Sequence, residues 1–274
     1  MLEFNIENNV LISCKTDLEL IEIPCNITEI KEFAFKGNKT IKKLIMTDNV
    51  KVIGKECFSE CSLLETIVLS DNIEVLPYAV FKQCKSLKNI NMPQNLKKIY
   101  LCAFDSCESL EEVTIPKSVT LIEAQVFYKC TSLKKVNFEC DIKQILGWVF
   151  YECTSLEEII LPNTLEEIKE RAFTNCTSLK AIYLPKSLKK IEPNTFVNLT
   201  NNLYITYGGN STDWRNLIKS VNVCVRHQTL NDFHYYGNEV DKYAPDVYEL
   251  QYPIDPKLKY TVYCVDDNVT LIFE

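Results

Sequence analysis

Several features that mark common protein classes are scarce or missing in this chain of 274 residues. Six glycines leave little room for a glycine-rich phosphate loop, and no GxSxG or HExxH motif occurs. No run of roughly 18 apolar residues is present, so the sequence predicts no membrane span. Residues 1–9 are acidic and polar where a secretory signal is basic and then apolar, so we expect no signal peptide.

Charge and histidine content narrow the function classes further. The net charge is −7, whereas a nucleic-acid-binding surface usually needs a clustered basic excess, so we expect no nucleic-acid partner. Only two histidines are present, His227 and His234, and neither belongs to a recognisable catalytic or metal-binding motif. We therefore assign no catalytic residue, no cofactor and no metal ligand, and expect a protein that is not an enzyme.

A phenylalanine recurs every 23 residues through most of the chain. An aliphatic residue stands five positions before each one. After most of them, a cysteine stands three positions later and a leucine or isoleucine six positions later. The phenylalanines are Phe35, Phe58, Phe81, Phe104, Phe127, Phe150, Phe173 and Phe196. The cysteines, called the cysteine column below, are Cys61, Cys84, Cys107, Cys130, Cys153 and Cys176. Chance does not explain this register, so the sequence predicts stacked coils of 23 residues.

Each repeat also has the pattern of one half-buried strand. Two apolar positions alternate with polar ones, as at Val113 and Ile115, and proline often follows, as at Pro116. We expect each coil to contain a short extended segment, a turn at the phenylalanine, a bend at the cysteine and this strand. No residue is inserted between Phe35 and Phe196, so the sequence predicts a regular, gently curved solenoid without loop excursions. Equivalent residues then stack about 4.8 Å apart into one continuous core.

The string Ala-Phe-x-x-Cys-x-Ser-Leu-x-x-Ile-x-Leu-Pro, clearest over residues 172–185, resembles the BspA-type leucine-rich repeat. The resemblance covers about residues 21–207, and the segment 205–214 resembles the Tyr-x-Gly-x-x-x-x-Trp ending of many such bacterial arrays. We predict a leucine-rich-repeat-type solenoid of about eight coils with a parallel β-sheet on one face. The resemblance implies surface adhesins and host-interaction proteins of bacteria and parasitic protists, and it implies no catalytic residues.

We divide the chain into an N-terminal cap and half-coil (1–26), the leucine-rich repeat solenoid (27–207) and a β-rich C-terminal capping segment (208–274). A first strand near residues 4–13 is expected to cover the half-coil. From residue 222 the period is lost, tyrosine becomes frequent, and candidate strands lie at 221–226, 247–252, 260–265 and 269–273. A cap is what every repeat array needs. A small β module with a binding role of its own is the alternative.

Thirteen cysteines leave one unpaired in any complete disulfide scheme. Equivalent side chains in stacked coils point in parallel, which suits neither disulfide nor tetrahedral zinc geometry, so we interpret the cysteine column as reduced, buried thiols. Reduced thiols favour the cytoplasm, whereas the family resemblance suggests the cell surface or secretion. Six N-x-[ST] sequons would also permit glycosylation in a secretory pathway. The compartment is left open.

Charges alternate at the position one residue after the leucine of each coil. The alternating residues are Lys42, Glu65, Lys88, Glu111, Lys134, Glu157 and Lys180. Stacking places each charge between two opposite ones, which stabilises the register of the coils. A role in recognition is the alternative interpretation, and the structural role is favoured.

Outward positions of the strands are the candidates for recognition. The residues selected are Lys135, Asn137, Glu158, Ile160, Tyr183 and Tyr204. Tyr183 beside Tyr204 and Ile160 predicts a contiguous aromatic patch. We therefore expect a protein-binding solenoid, monomeric or weakly self-associating, whose concave strand face engages a protein or glycoprotein, chiefly through its C-terminal third. The alternative is a structural element that assembles by stacking through its ends.

Overall fold

The computed structural model describes residues 2–199, 203–219, 221–225, 247–251, 253–254 and 258–273. Its elements in chain order are β1 (Leu2–Glu7), β2 (Val10–Thr16), β3 (Leu20–Glu22), β4 (Glu29–Ile30), β5 (Lys43–Ile45), β6 (Val52–Ile53), β7 (Thr66–Val68), β8 (Val75–Leu76), β9 (Asn89–Ile90), β10 (Lys98–Ile99), β11 (Glu112–Ile115), β12 (Leu121–Ile122), β13 (Lys135–Phe138), β14 (Gln144–Ile145), β15 (Glu158–Ile160), β16 (Glu167–Ile168), β17 (Ala181–Leu184), β18 (Lys190–Ile191), β19 (Leu203–Tyr207), α1 (Ser211–Leu217), β20 (Val221–Val225), β21 (Val247–Gln251), β22 (Tyr260–Cys264) and β23 (Val269–Phe273).

The odd-numbered strands from β3 to β19, called the long strands, form the predicted parallel sheet on one face. Residues 23 apart are partners, so Lys43 pairs with Thr66 and Ile160 pairs with Tyr183. The sheet is hydrogen-bonded in three stretches, β3-β5-β7-β9, β11-β13 and β15-β17-β19-β22-β23. The predicted register is therefore confirmed, and the interruptions before β11 and before β15 are features that periodicity alone did not indicate.

The even-numbered strands from β4 to β18, called the short strands, build a second set of parallel ladders. Each has two residues and ends in the aliphatic residue that stands five positions before the phenylalanine. Ile99 pairs with Ile122, and Ile145 pairs with Ile168. The sequence predicted only a short extended segment here, because two residues are too few to show an alternating pattern.

The core between the two sets of ladders is one stack of phenylalanine rings flanked by aliphatic and cysteine side chains. All eight repeat phenylalanines are at most 2% exposed. Successive rings stack with centroids 5.1–5.7 Å apart. Each ring therefore buries its faces against the coils above and below, which no coil can do alone.

A third ladder runs through the turn that carries each phenylalanine. The residues two positions before and two positions after the ring adopt positive φ, as at Gln125 (58°) and Lys129 (58°) around Phe127. Backbone amides of this turn donate hydrogen bonds to carbonyl oxygens of the next coil. Gln125 donates to Gly147 at 3.1 Å, Phe127 to Val149 at 2.9 Å and Lys129 to Tyr151 at 2.8 Å. A left-handed residue other than glycine costs roughly 1–2 kcal/mol, and these hydrogen bonds offset that cost.

Both ends of the stack are covered by hairpins, which sit on different ladders. At the N-terminus the antiparallel pair β1–β2 covers the short strands, with Leu11 beside Ile30. Residues 4–13 were expected to form one strand and instead belong to two, because Asn8 and Asn9 adopt positive φ and turn the chain. At the C-terminus the hairpin β22–β23 extends the long-strand sheet, with Val262 beside Ile205.

The C-terminal segment adds two contacts that complete the cap. The amide of Phe196 donates to the carbonyl oxygen of Pro253 at 2.9 Å and so continues the turn ladder. Helix α1, which the sequence did not predict, begins at the N-cap Asn210 and buries Trp214 against Tyr207. The candidate strands at 221–226, 247–252, 260–265 and 269–273 are confirmed to within a residue. The domain boundaries at residues 26 and 207 stay predictions.

Candidate protein-binding surface

The outward side chains of the long strands, called the strand face, lie in two rows. Lys135, Glu158 and Tyr204 belong to the first row, and Asn137, Ile160 and Tyr183 belong to the second. All six selected residues therefore share one face.

The tyrosines are arranged differently from the expected patch. Tyr183 pairs with Ile160 on one side and Thr206 on the other, whereas Tyr204 pairs with Ala181. The two tyrosines are therefore diagonal rather than directly opposite, because they stand in different rows of the sheet. The hydroxyl of Tyr183 donates to Oδ1 of Asn163 at 3.2 Å, which directs this side chain toward the end of its strand.

Lys135 and Asn137 are tied to the preceding strand. Lys135 Nζ lies 3.7 Å from Glu112 Oε1. The side-chain amide of Asn137 donates to the same carboxylate oxygen at 3.0 Å and to Thr114 Oγ1 at 3.3 Å. These two residues thus form a polar network, whereas Ile160 projects into solvent with 71% of its surface exposed.

A groove of about 640 Å³ lies on the strand face where β15 is not hydrogen-bonded to β13. We call it the acidic groove, and its lining residues are Phe138, Glu139, Cys140, Asp141, Glu158, Ile159, Ile160, Leu161, Pro162, Asn163, Ala181, Ile182, Tyr183 and Thr206. It brings together Glu158, Ile160 and Tyr183 from the six candidates. Lys135, Asn137 and Tyr204 do not line it.

Residues 138–141 were missed as part of the site, although the sequence marks them. Phe138-Glu139 occupies the position of the Ile-Pro or Leu-Pro that ends the strand in neighbouring coils, as at Ile115-Pro116 and Leu161-Pro162. Phe138 is only partly buried and meets Phe150 edge-on, with ring centroids 6.4 Å apart. A departure from the repeat consensus therefore coincides with the break in the sheet and with the groove.

All charged side chains among the described residues that line the groove are acidic. Its three ionisable side chains, apart from Cys140 and Tyr183, are the carboxylates of Glu139, Asp141 and Glu158. Asp141 accepts a weak hydrogen bond from Thr164 Oγ1 at 3.4 Å. No lysine, arginine or histidine is among the lining residues that the structure describes.

The predicted charge alternation is present in part as ion pairs between coils. Within the series, the described residues form the pairs Lys134–Glu111 and Lys180–Glu157, with Nζ–Oε distances of 2.7 Å and 3.3 Å. Lys42 pairs instead with Glu19, one coil before the series, at 2.8 Å. A second alternating series, which was not predicted, includes Glu166 between Lys143 and Lys189. Hydrogen bonds from these two lysines lower the pKa of the Glu166 carboxyl to about 2. These exposed pairs support the structural interpretation of the alternation.

The cysteine column is sealed inside the stack. Its six thiols are at most 1% exposed and free of disulfides. Burial raises the pKa of the Cys61 thiol to about 12. Each thiol also donates a hydrogen bond to the backbone carbonyl of the phenylalanine one coil earlier, as from Cys107 to Phe81 at 3.2 Å. The expected burial is confirmed, and the hydrogen bond is an additional role.

Metal-binding clusters and membrane-spanning helices are absent from the described part of the chain. Within it, no three histidine, cysteine, aspartate or glutamate side chains are close enough to share a metal ion. His227 and His234 lie outside the described residues, as do Tyr235, Tyr236 and Tyr243 of the tail. Helix α1 has seven residues, and no helix in the described ranges has the length and apolar character needed to cross a membrane.

Stacked 23-residue coils, a parallel sheet of long strands and continuous phenylalanine and leucine columns define a leucine-rich-repeat-type solenoid. A family profile described as BspA type leucine-rich repeat region, in 6 copies, matches residues 5–134 and 97–218. The chain belongs to the BspA-type leucine-rich repeat family. The family and its structural neighbours are generally non-catalytic repeat proteins, and they are consistent with a protein-binding scaffold.

Two solved structures show the same fold. A leucine-rich repeat protein from Bacteroides ovatus is 26% identical, with a TM-score of 0.68 over 77% of this chain and 60% of that one. The T. pallidum leucine-rich repeat protein is 25% identical, with a TM-score of 0.60 over 65% of this chain and 87% of that one. The chain thus spans 60% of the length of the Bacteroides ovatus protein. Among curated protein sequences, none matches it significantly.

Proposed function

We propose that this solenoid binds a protein or glycoprotein through the C-terminal third of its strand face, centred on the acidic groove. The proposal rests on the exposure of Ile160 on the strand face. This residue is the most exposed large hydrophobic side chain in the described part of the chain, at 71%, and it stands beside Tyr183 at the groove. A single exposed aliphatic residue is ordinary. The usual anchors of protein interfaces include tyrosine, and here Tyr183 stands in register beside the exposed Ile160.

The position of Ile160 in the fold also supports a recognition role. Its backbone is held by parallel pairing of β15 with β17, so the side chain is presented from a rigid strand rather than from a loop. The neighbouring strand β13 is polar at Lys135 and Asn137, which gives the apolar anchor a hydrophilic margin. An adhesin or host-interaction role is proposed on the family resemblance alone.

Site-specific photo-cross-linking tests this proposal. A photoreactive amino acid replaces Ile160 in one variant and Val52 in a control variant. Val52 is 51% exposed and lies on the short strands, away from the strand face. We expect position 160 to form a cross-link to one partner protein from extracellular matrix or host-cell lysate, and position 52 to form none to that partner. Equal cross-linking from both positions would contradict strand-face binding.

Self-assembly through the ends is the second candidate, and one observation favours it. The outermost described strands of the long-strand sheet, β3 and β23, have one edge without a paired strand among the described residues, and they carry exposed aliphatic side chains on the strand face at Leu20 (50%) and Ile272 (69%). An uncovered strand edge can pair with another chain. Sedimentation of the wild type and of Ile272→Lys tests this function, because concentration-dependent oligomers should form in the wild type and be lost in the variant. A monomer at all concentrations would exclude end-to-end assembly.

A further inference from the structure

We propose that the acidic groove accepts an extended, positively charged segment of the partner protein. In this arrangement an apolar side chain of the segment contacts Ile160, and lysine or arginine side chains lie over Glu139, Asp141 and Glu158. The inference rests on the proposed function, since it names the chemistry of the partner that the strand face would bind.

The repeat period explains why these carboxylates have no lysine partner among the described residues. Elsewhere on the solenoid, carboxylates pair with lysines 23 residues away, as Glu111 does with Lys134 and Glu157 with Lys180. The positions 23 residues before and after Glu139 are Pro116 and Pro162. For Asp141 the corresponding residues are Ser118 and Thr164.

Glu158 also has no lysine partner among the described residues, but for a different reason. One of its neighbours in register is Ala181, which carries no charge, and the residue 23 positions earlier is Lys135. The ammonium group of Lys135 lies toward the previous coil, 3.7 Å from Glu112. The alternation of opposite charges between coils is therefore interrupted at the groove. The three carboxylates there can attract a cationic group of another molecule.

Shape and composition select a polypeptide rather than an ion. A groove of about 640 Å³ that is open to solvent is far larger than a metal site, and its carboxylates do not converge into a metal-binding group among the described residues. Phe138, Ile160 and Tyr183 offer apolar surface beside the charges. Alternating side chains of an extended segment can reach both kinds of surface, since successive residues of a strand point to opposite sides.

Selection from a phage-displayed library of random linear peptides tests the inference. The bait is the wild-type chain, and peptides that also bind the groove variant Glu139→Gln/Asp141→Asn/Glu158→Gln are removed. All three residues are exposed, so the variant should fold normally, as its thermal unfolding will verify. We expect the remaining peptides to be enriched in lysine or arginine together with apolar residues. Enrichment of acidic or neutral peptides, or no enrichment, would overturn the inference.

A matched variant controls for net charge. Glu3→Gln/Glu7→Gln/Asp48→Asn neutralises three exposed carboxylates that do not line the groove. Synthetic copies of the selected peptides should bind the wild type and this control equally, and should bind the groove variant at least about tenfold more weakly, as expected for loss of close charge pairs. The affinity should also fall as salt is raised. Equal binding to the groove variant and the control would show that the groove charges are not recognised.

Failure of the inference can be told apart from failure of the proposed function. If position 160 cross-links a partner whose affinity is unchanged by the groove variant, strand-face binding stands and the cationic preference is wrong. If position 160 cross-links nothing, the proposed function fails, whereas the peptide selection still scores the preference of the groove itself.

Discussion

The thiol of Cys130 donates a hydrogen bond to the backbone carbonyl of Phe104, one coil earlier, across 3.2 Å. The same oxygen also accepts the amide of Cys107 at 3.1 Å. The thiol therefore occupies the second acceptor site of a carbonyl oxygen that is already bonded within its own turn. Six such contacts link the seven successive turns from the one at Phe35 to the one at Phe173.

Substitution of Cys130 separates the hydrogen bond from simple packing. Cys130→Val keeps a small apolar side chain but removes the donor, and we expect a loss of about 1 kcal/mol of unfolding free energy from the hydrogen bond in addition to any misfit. Cys130→Ser keeps a donor and should be the more stable of the two. Urea unfolding measures both, and a valine variant as stable as the wild type would mean that the thiol acts only as a small hydrophobic group.

The phenylalanine stack should lose stability unevenly along the array. Phe104 stacks on a ring at each side, with centroids 5.4 Å from Phe81 and 5.5 Å from Phe127. Phe104→Ala should cost about 3–5 kcal/mol, because the cavity lies between two ordered coils. Phe35 has one stacked neighbour, Phe58, and Phe35→Ala should cost less. Equal losses by chemical denaturation would contradict a one-dimensional stack.

Two buried alanines test the cost of the left-handed turns. Ala79 has a φ of 51°, whereas Ala103, which is equally buried, is not among the positive-φ residues. Ala103→Gly should destabilise the protein by roughly 0.5–1 kcal/mol through backbone entropy. Ala79→Gly should cost less or even stabilise, because glycine relieves the strain of positive φ. Thermal unfolding compares the pair, and an equal loss in both would show that the turns are not strained.

How far the sequence predicted this structure depends on the signal that each element leaves. Strands, register and core follow from the 23-residue period, because apolar residues of the repeat have one environment in every coil. The left-handed turns left no signal, since residues such as Gln125 and Lys129 stand where glycine is usual, and interactions with the next coil determine their conformation. Helix α1 has only seven residues and is stabilised by burial of Trp214, which helical periodicity cannot reveal.

The candidate surface was predictable only where its residues occupy regular positions of the repeat. Ile160 and Tyr183 stand out because they are apolar at outward positions of the repeat. The diagonal placement of Tyr204 also follows from the register, once Ala181 is recognised as its partner. Phe138 and its neighbours in the groove depart from the repeat, and this departure is visible in the sequence. Its effect on the sheet depends on how the larger ring packs between coils, which the sequence does not reveal.

Acid should weaken the solenoid through its ion pairs between coils, and Glu166 provides the test. Lys143 and Lys189 lower the pKa of Glu166 from its ordinary 4.5 to about 2. A carboxyl group with a lowered pKa contributes stability above its unfolded pKa, and this contribution is lost as the pH falls from about 4.5 toward 2.

The variant Glu166→Gln removes that contribution, so the melting temperature should fall less between pH 5 and pH 2.5 than in the wild type. Glu3→Gln, at an exposed carboxylate without a lysine partner among the described residues, should retain the wild-type pH dependence. If Glu166→Gln has the same pH dependence as the wild type, this ion pair does not contribute to the stability of the protein in solution.

Paired substitutions at Ile160 and Val52 distinguish recognition through the strand face from recognition elsewhere on the solenoid. Ile160→Lys places a charge at the proposed anchor, whereas Val52→Lys places the same charge on the short strands, and both side chains are already largely exposed. Both variants should therefore unfold at the wild-type temperature. Isothermal titration with the protein cross-linked at position 160 should show affinity reduced at least about tenfold by Ile160→Lys, as for a buried anchor residue, and unchanged by Val52→Lys. Equal affinity for both variants would contradict recognition through the strand face.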